Sequence, residues 1–187
     1  MHARDAREAP EHVPLQTPRL RLVPWSPALL VTLIEQPDRF EALAGVPAAP
    51  GLREFFVSGD VSPEWLARLT TASGTDPWRH GFFVVERERR AVIGTAGFKG
   101  APDAEGMVEI AYGIVSSFEG RGYATEAAMA LVRFAQQTPG VTLIRAHTLP
   151  EANASTRVLT KCGFRHTDNV IDPDDGPVWR WEMRTSG

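Results

Sequence analysis

The sequence is poor in the residues that build disulfides, metal sites and membrane anchors. Cys162 is the only cysteine among 187 residues, so no intramolecular disulfide can form, and no cluster of Cys and His has the spacing of a zinc site. The segment 1–14 has mixed charge and no apolar run, which predicts neither a signal peptide nor a membrane anchor. We therefore expect a cytoplasmic protein with no metal and no membrane partner, and a mobile N-terminal tail over residues 1–14.

The charge pattern of a nucleic-acid-binding protein is also missing. The formal net charge is -3, and the basic residues are scattered along the chain rather than gathered into a stripe. Nucleic acid is thus not an expected partner. A mildly acidic surface suits a cationic substrate such as an amine.

Neither internal repeats nor long low-complexity tracts interrupt the chain. The content of 43% hydrophobic and 23% charged residues is typical of a globular protein. A chain of this length buries roughly 70% of its extended surface when it folds as one unit. The prediction is a single domain over residues 15–187.

Apolar periodicity predicts that this domain is mixed α/β. Seven strands are predicted from short apolar or alternating runs, at 20–23, 82–85, 91–98, 107–115, 141–148, 165–170 and 178–183. Four helices are predicted, at 29–34, from the capping residue Ser62, between Gly122 and Pro139, and over 153–162. Small residues recur at helical spacing on the third helix, which predicts a stripe packed closely against a sheet.

The turn between the predicted strand 107–115 and this third helix contains two glycines, Gly120 and Gly122. A strand that runs through such a turn into a helix presents free backbone N–H groups at the positive end of the helix dipole, which is an anion site. A tight connection without a ligand is the alternative. The turn lacks a G-K-[ST] ending and a third glycine at Rossmann spacing, so the pattern favours a pyrophosphate ligand other than a triphosphate or a dinucleotide.

Three segments in this order resemble the GNAT acetyltransferase superfamily. They are EIAYGI at 109–114, FEGRGYATEA at 118–127 and NASTRVLTKCGF at 153–164, and the branch they most resemble is the RimJ/RimL type. The segment TPRLRL at 17–22 is similar to the first strand of that branch. The resemblance covers nearly all of the chain after about residue 15.

The resemblance implies a GNAT-like fold, with a mixed, mostly antiparallel, splayed sheet of about seven strands flanked by about four helices. It implies an N-acetyltransferase that moves an acetyl group from acetyl-CoA to a primary amine by direct attack in a ternary complex. The acceptor is left open among a protein N-terminal α-amine, an amino acid and a small amine, and a homodimer is a further expectation. The alternatives are a non-catalytic acyl-CoA sensor or partner-binding module, and a scaffold without a ligand.

The resemblance also implies which residues contact the cofactor. The strand that ends near Val115 would bind the pantetheine arm through its backbone, and the turn from Glu119 to Ala124 would hold the pyrophosphate. The family usually has Gln or Arg at the start of this turn, so the glutamate here predicts a backbone rather than a side-chain role. The predicted set is Ile114, Val115, Glu119, Gly120, Arg121, Gly122, Tyr123, Ala124, Thr125, Asn153 and Ser155.

Two residues are predicted to be catalytic, Glu109 and Ser155. Glu109 lies where the family often has a base or a base-orienting group, and a salt-bridged or a surface glutamate is the alternative. The family tyrosine that acts as general acid is Leu159 here, which makes Ser155 the substitute candidate. One of Asn153 and Ser155 is expected to cap its helix.

Other titratable residues are predicted to be structural. Tyr112 lies on the opposite face of its strand from Glu109 and is expected to pack, and Glu126 is expected to stabilise a helix N-terminus. His80 and His147 have the chemistry of a base, but the sequence identifies no partner for either.

Overall fold

Eight strands form one sheet in the part of the chain that the computed structural model describes, which is residues 14–57, 70–72, 74–173 and 175–185. The strands are β1 Leu15–Gln16, β2 Leu20–Pro24, β3 Phe82–Glu86, β4 Ala91–Phe98, β5 Met107–Ile114, β6 Leu143–Thr148, β7 Arg165–Asp172 and β8 Gly176–Arg184. Their order across the sheet is β1-β2-β3-β4-β5-β6-β8-β7.

The sheet opens between its two central strands. β5 and β6 are parallel and pair only over Met107–Glu109 and Leu143–Arg145, while all other neighbours are antiparallel. Beyond Glu109 no described strand pairs with the β6 side of β5. The two strands therefore splay, and a gap with free backbone edges lies between them.

Six helices accompany the sheet in the same described residues. They are α1 Pro27–Glu35, α2 Phe40–Ala44, α3 Glu54–Val57, α4 Pro77–His80, α5 Tyr123–Gln136 and α6 Ala154–Lys161. Local sequence sets their ends: Ser26 caps α1 by accepting from Leu29 N, and Gly163 (φ 91°) follows α6 in the left-handed conformation. None of these helices has the length and apolarity needed to cross a lipid bilayer.

Small residues bring α5 and the central strands close together. The predicted stripe is confirmed, because Ala127, Leu131 and Ala135 are all fully buried against β5. On the sheet itself, a Cβ on Gly94 would lie 2.2 Å from the carbonyl oxygen of Gly113. Glycine at position 94 is therefore required for the close approach of β4 and β5.

The predicted fold class is confirmed, with two corrections of number. All seven predicted strands are present with ends shifted by at most two residues, and β1 is an eighth, too short to show a pattern. The described part of the chain has six helices rather than four, because α2, α3 and α4 are single turns in a segment rich in proline and glycine. The predicted helix from Ser62, with its buried face, and nearly all of the tail 1–14 lie outside the described residues.

Candidate active site

The turn between β5 and α5 has the backbone form that an anion site needs. Gly120 and Gly122 have φ of 71° and 81°, and Gly122 is the N-cap without a side-chain cap. The first helical hydrogen bond is donated by Glu126 N to Gly122 O. The N–H groups of Tyr123, Ala124 and Thr125 consequently have no intrahelical acceptor and lie at the positive end of the helix dipole.

A network from the connection between β1 and β2 supports this turn from behind. Arg19 Nη1 donates to the carbonyl of Arg121 (2.8 Å), and Arg19 Nε pairs with Glu126 Oε2 (2.7 Å). Thr17 Oγ1 and Arg19 N donate to the other oxygen of Glu126. Burial disfavours the charged form of Glu126, but these hydrogen bonds outweigh it and hold the pKa of the carboxyl below its ordinary value. The structural role predicted for Glu126 thus extends beyond the helix dipole.

A cavity of about 810 Å³ lies beside the turn and collects most of the predicted cofactor residues. The predicted residues on its wall are Ile114, Glu119, Gly120, Gly122, Tyr123, Ala124, Thr125 and Ser155. Three others are engaged elsewhere. Val115 is buried and donates its N–H to Ile93 O, the Arg121 guanidinium lies over the Phe118 ring, and the Asn153 side chain accepts from Thr156 N as the cap of α6.

Sequence reasoning missed eight residues on the same wall, half of its lining. Arg157, Val158 and Lys161 face the cavity from α6, and Phe55 reaches it from α3. The three α6 residues follow Ala154 at spacings of three, four and seven, which defines one helix face, so the sequence contained this signal. The two cations suit an anionic ligand.

A second cavity of about 360 Å³ occupies the gap between β5 and β6. Its wall includes Glu109, His147 and the buried Leu159. Tyr112 and Ser155 line both this cavity and the one beside the turn. The two cavities therefore adjoin at these two residues.

Glu109 lies at the edge of the gap and is bound by two neighbours. Lys99 Nζ is 2.8 Å and His147 Nδ1 is 2.9 Å from the same carboxylate oxygen, Oε1. Burial disfavours the charged form of Glu109, but the hydrogen bonds from Lys99 and His147 outweigh it and lower the pKa of the carboxyl. Burial also opposes the charge on Lys99, and the hydrogen bond to Glu109 leaves the pKa of the amine raised. The salt bridge that was the alternative role for Glu109 is present, with Lys99. The Glu109 side chain also lines the gap.

Four buried polar atoms have no hydrogen-bond partner among the described residues. Tyr112 Oη and His147 Nε2 belong to residues that line the gap, Arg180 Nε belongs to the cross-strand neighbour of His147, and His80 Nδ1 lies elsewhere. Burial raises the pKa of Tyr112, the nearby Cys162 thiol adds to the rise, and Ser155 partly opposes it. Ser155 is thus near enough to favour the phenolate, but the Tyr112 hydroxyl makes no well-formed hydrogen bond with it. The hydroxyl therefore stays protonated at neutral pH.

His80 faces a third cavity, of about 540 Å³, on the side of β4 and β5 toward α4. Burial lowers the pKa of His80, and Asp76 opposes the shift. The described residues bring no three His, Cys, Asp or Glu side chains together in an arrangement that could hold a metal ion.

An anion turn beside a splayed strand pair is the arrangement that the sequence resemblance implies for a CoA-dependent acyltransferase. A family model described as an acetyltransferase (GNAT) domain matches residues 19–165. The chain belongs to the GNAT acetyltransferase family. The predicted family is thus confirmed, and the activity typical of that family is acetyl transfer from acetyl-CoA.

Individual relatives agree with this assignment. The chain is 31% identical over 111 residues, 59% of its length, to an uncharacterised N-acetyltransferase, YjdG, of Bacillus subtilis (strain 168), and spans 64% of that relative. Two solved structures share the fold: a ribosomal-protein-S5-alanine acetyltransferase of Vibrio fischeri (16% identity, TM-score 0.63, 93% of this chain and 97% of that chain), and the ribosomal L7/L12 α-N-protein acetyltransferase RimL in complex with coenzyme A (13% identity, TM-score 0.59, 92% and 98%). At these identities the two structures establish the fold alone.

Proposed function

We propose that this chain transfers an acetyl group from acetyl-CoA to a primary amine by direct attack in a ternary complex. The observation that carries the proposal is the contact between two cavities at Tyr112 and Ser155, one beside the anion turn and one in the strand gap. A donor held in the first cavity and an amine in the second would meet at these residues. Holding the two reactants side by side would convert a bimolecular encounter into an effectively unimolecular step.

The residues of the larger cavity fit coenzyme A. The free N–H groups of residues 123–125 suit the pyrophosphate, and Arg157 and Lys161 offer positive charge to further phosphate oxygens. The unpaired edge of β5 beyond Glu109 offers backbone groups to the amides of the pantetheine arm. Acetyl-CoA supplies an acetyl group on a thioester, whose thiolate is a fairly good leaving group.

The acceptor amine sets the chemical difficulty of the reaction. A lysine-like amine with a pKa near ~10.4 lies about 3.4 units above pH 7, so its deprotonation costs roughly 4.6 kcal/mol. A base in the gap, beside the predicted catalytic Glu109, would remove this cost from the barrier. Ser155 lines both cavities and remains our candidate donor to the leaving sulfur, in place of the family tyrosine that is Leu159 here.

The finer expectations are part of the same proposal. The motif segments favour the RimJ/RimL-type branch, and the proposed acceptor is a protein N-terminal α-amine, an amino acid or a small amine. The single cysteine suits the cytoplasm. A homodimer is the expected assembly, and sedimentation equilibrium of the purified chain would measure it.

The test measures binding and turnover separately. We expect calorimetry to detect coenzyme A binding, and a thiol-sensitive dye to detect coenzyme A release when acetyl-CoA is mixed with a panel of peptides with free N-termini, amino acids, polyamines and aminoglycosides. Acetyl-CoA without an amine gives the background of hydrolysis. Binding without release for every amine would instead support the sensor, and a folded sample that does not bind coenzyme A would contradict both.

A further inference from the structure

His147 has two ring nitrogens in very different surroundings. Nδ1 lies 2.9 Å from Glu109 Oε1. An ionised carboxylate only accepts hydrogen bonds, so Nδ1 carries the proton in this contact and the neutral ring has its lone pair on Nε2. Glu109 thus fixes the tautomer and the orientation of the imidazole.

Nε2 is a buried acceptor that the fold leaves unused. It has no hydrogen-bond partner in the described part of the chain, and the His147 side chain is only 12% exposed. Interiors satisfy most of their polar atoms, and an unsatisfied one costs about 1–3 kcal/mol. The residue lines the gap next to Tyr112 and Ser155, where the acceptor amine of the proposed function would lie. A substrate N–H has the right chemistry to pair with this acceptor.

Glu109 is poorly suited to take the proton itself. Its Oε1 already contacts both Lys99 and His147, and the pKa of the carboxyl is lowered by those contacts. A carboxylate stabilised in its charged form is a weaker base than a free one. The His147 imidazole, by contrast, has a second nitrogen, Nε2, that pairs with no described residue.

We propose that His147 is the catalytic base and that Glu109 is its positioning residue, an inference that rests on the proposed function. The ammonium form of the amine first gives one proton through Nε2 to solvent. The neutral amine nitrogen then bonds to the acetyl carbon while one of its N–H bonds breaks, and this second proton passes to Nε2. The carbon–sulfur bond breaks and its electron pair leaves with the sulfur. The proton returns from the imidazolium to solvent or to the released thiolate, so the reaction needs no other reactant.

Charges on every neighbouring element act on this imidazole. Lys99 after β4 and Arg180, the cross-strand neighbour on β8, oppose a second positive charge, while Glu109 on β5 and Asp175 in the turn before β8 favour it. Tyr112 and Ser155 face the gap as neutral hydroxyls. The gap therefore contains charges that both favour and oppose a transient imidazolium.

The test compares three variants with the wild type. His147→Asn keeps an N–H donor toward Glu109 and removes Nε2, Glu109→Gln keeps an acceptor for Nδ1 and removes the charge, and His166→Asn is the matched control on β7. We expect His147→Asn to lower kcat/KM at least about 100-fold, within the usual range for a lost general base, and to abolish the rise of kcat/KM with pH. Glu109→Gln should lower it about tenfold and keep the rise, and the control should match the wild type.

The outcomes separate this inference from the proposed function. One outcome would overturn the inference and leave the proposed function intact. In that outcome the wild type releases coenzyme A, and His147→Asn binds coenzyme A normally and keeps the rise of kcat/KM with pH. A loss in Glu109→Gln that equals or exceeds the loss in His147→Asn makes the carboxylate the base. If His147→Asn does not fold, added imidazole should restore turnover to His147→Ala, and failure to restore it counts against the proposal.

Discussion

At the residue scale, the candidate chemistry lies in polar atoms that the fold does not pair. Protein interiors usually satisfy buried donors and acceptors, and Tyr112 Oη and His147 Nε2 are exceptions on either side of the same gap. Glu109 shows the opposite situation, with two partners on one oxygen. Unpaired atoms near a cavity indicate ligand contacts, and paired ones indicate positioning.

Tyr112→Phe tests whether the tyrosine hydroxyl has a function beyond packing. Because the hydroxyl is buried without a well-formed hydrogen bond, its removal should leave the melting temperature unchanged or raise it slightly. We expect kcat to fall about tenfold or more, because a donor that stays protonated is lost where the two cavities meet. Steady-state kinetics and thermal melting measure the two effects. A lower melting temperature with unchanged kcat would restore the packing role predicted from the sequence.

At the element scale, the turn from β5 into α5 combines glycine conformation with an uncapped helix. Gly120 and Gly140 both have positive φ, 71° and 86°, and an added Cβ would meet no atom within 4 Å at either position. They differ in place: Gly120 lines the proposed cofactor cavity, and Gly140 follows the other end of α5. Alanine variants at the two positions therefore distinguish the cost of backbone strain from a loss of ligand binding.

Gly120→Ala and Gly140→Ala should therefore have equal effects on stability and unequal effects on binding. Each places a side chain in the left-handed region, which costs about 1–2 kcal/mol of unfolding free energy. Only Gly120→Ala should weaken coenzyme A binding, by about tenfold, equivalent to ~1.4 kcal/mol. Chemical denaturation and calorimetry provide the two numbers. Equal affinities in the two variants would mean that the pyrophosphate does not contact this turn.

At the scale of the whole molecule, contacts distant in sequence hold the active site in place. Glu126 at the start of α5 receives hydrogen bonds from Thr17 and Arg19, and Arg19 lies 107 residues away along the chain. The same arginine reaches the carbonyl of Arg121 in the anion turn. The connection between β1 and β2 thus fixes the position of the turn.

The pH dependence of stability should report this network. The folded-state pKa of Glu126 lies below its ordinary value of 4.5, so its charge stabilises the fold fully above about pH 4.5, and this contribution is lost as the pH falls through the folded-state value. We expect Glu126→Gln to lower stability by about 1–2 kcal/mol at pH 7, with the partly exposed Arg19 limiting the effect. The difference from the wild type in thermal melts should shrink below pH 4.5.

Glu151→Gln, at an exposed loop position, is the control and should match the wild type at every pH. If the difference between Glu126→Gln and the wild type did not change down to pH 3, the carboxylate charge would not contribute to the network.

The sequence by itself determined the elements and the anion turn. Apolar periodicity located the strands, and the alanine-rich stripe located the buried face of α5, because burial on one face imposes a period that neighbouring residues show. The conformations of Gly120 and Gly122 followed from the same local reasoning, since positive φ at the end of a turn favours glycine. The motif segments and the family assignment agree with these local features.

Only the tertiary structure decided which side chains meet in the gap. Glu109 and His147 are 38 residues apart and become neighbours because β6 crosses back beside β5 after α5. Strand alternation placed Tyr112 on the face opposite Glu109, yet the splay of β5 from β6 lets both residues line the same cavity. Local pattern reports burial and backbone conformation, whereas the order of strands and the direction of each side chain depend on how the whole sheet packs.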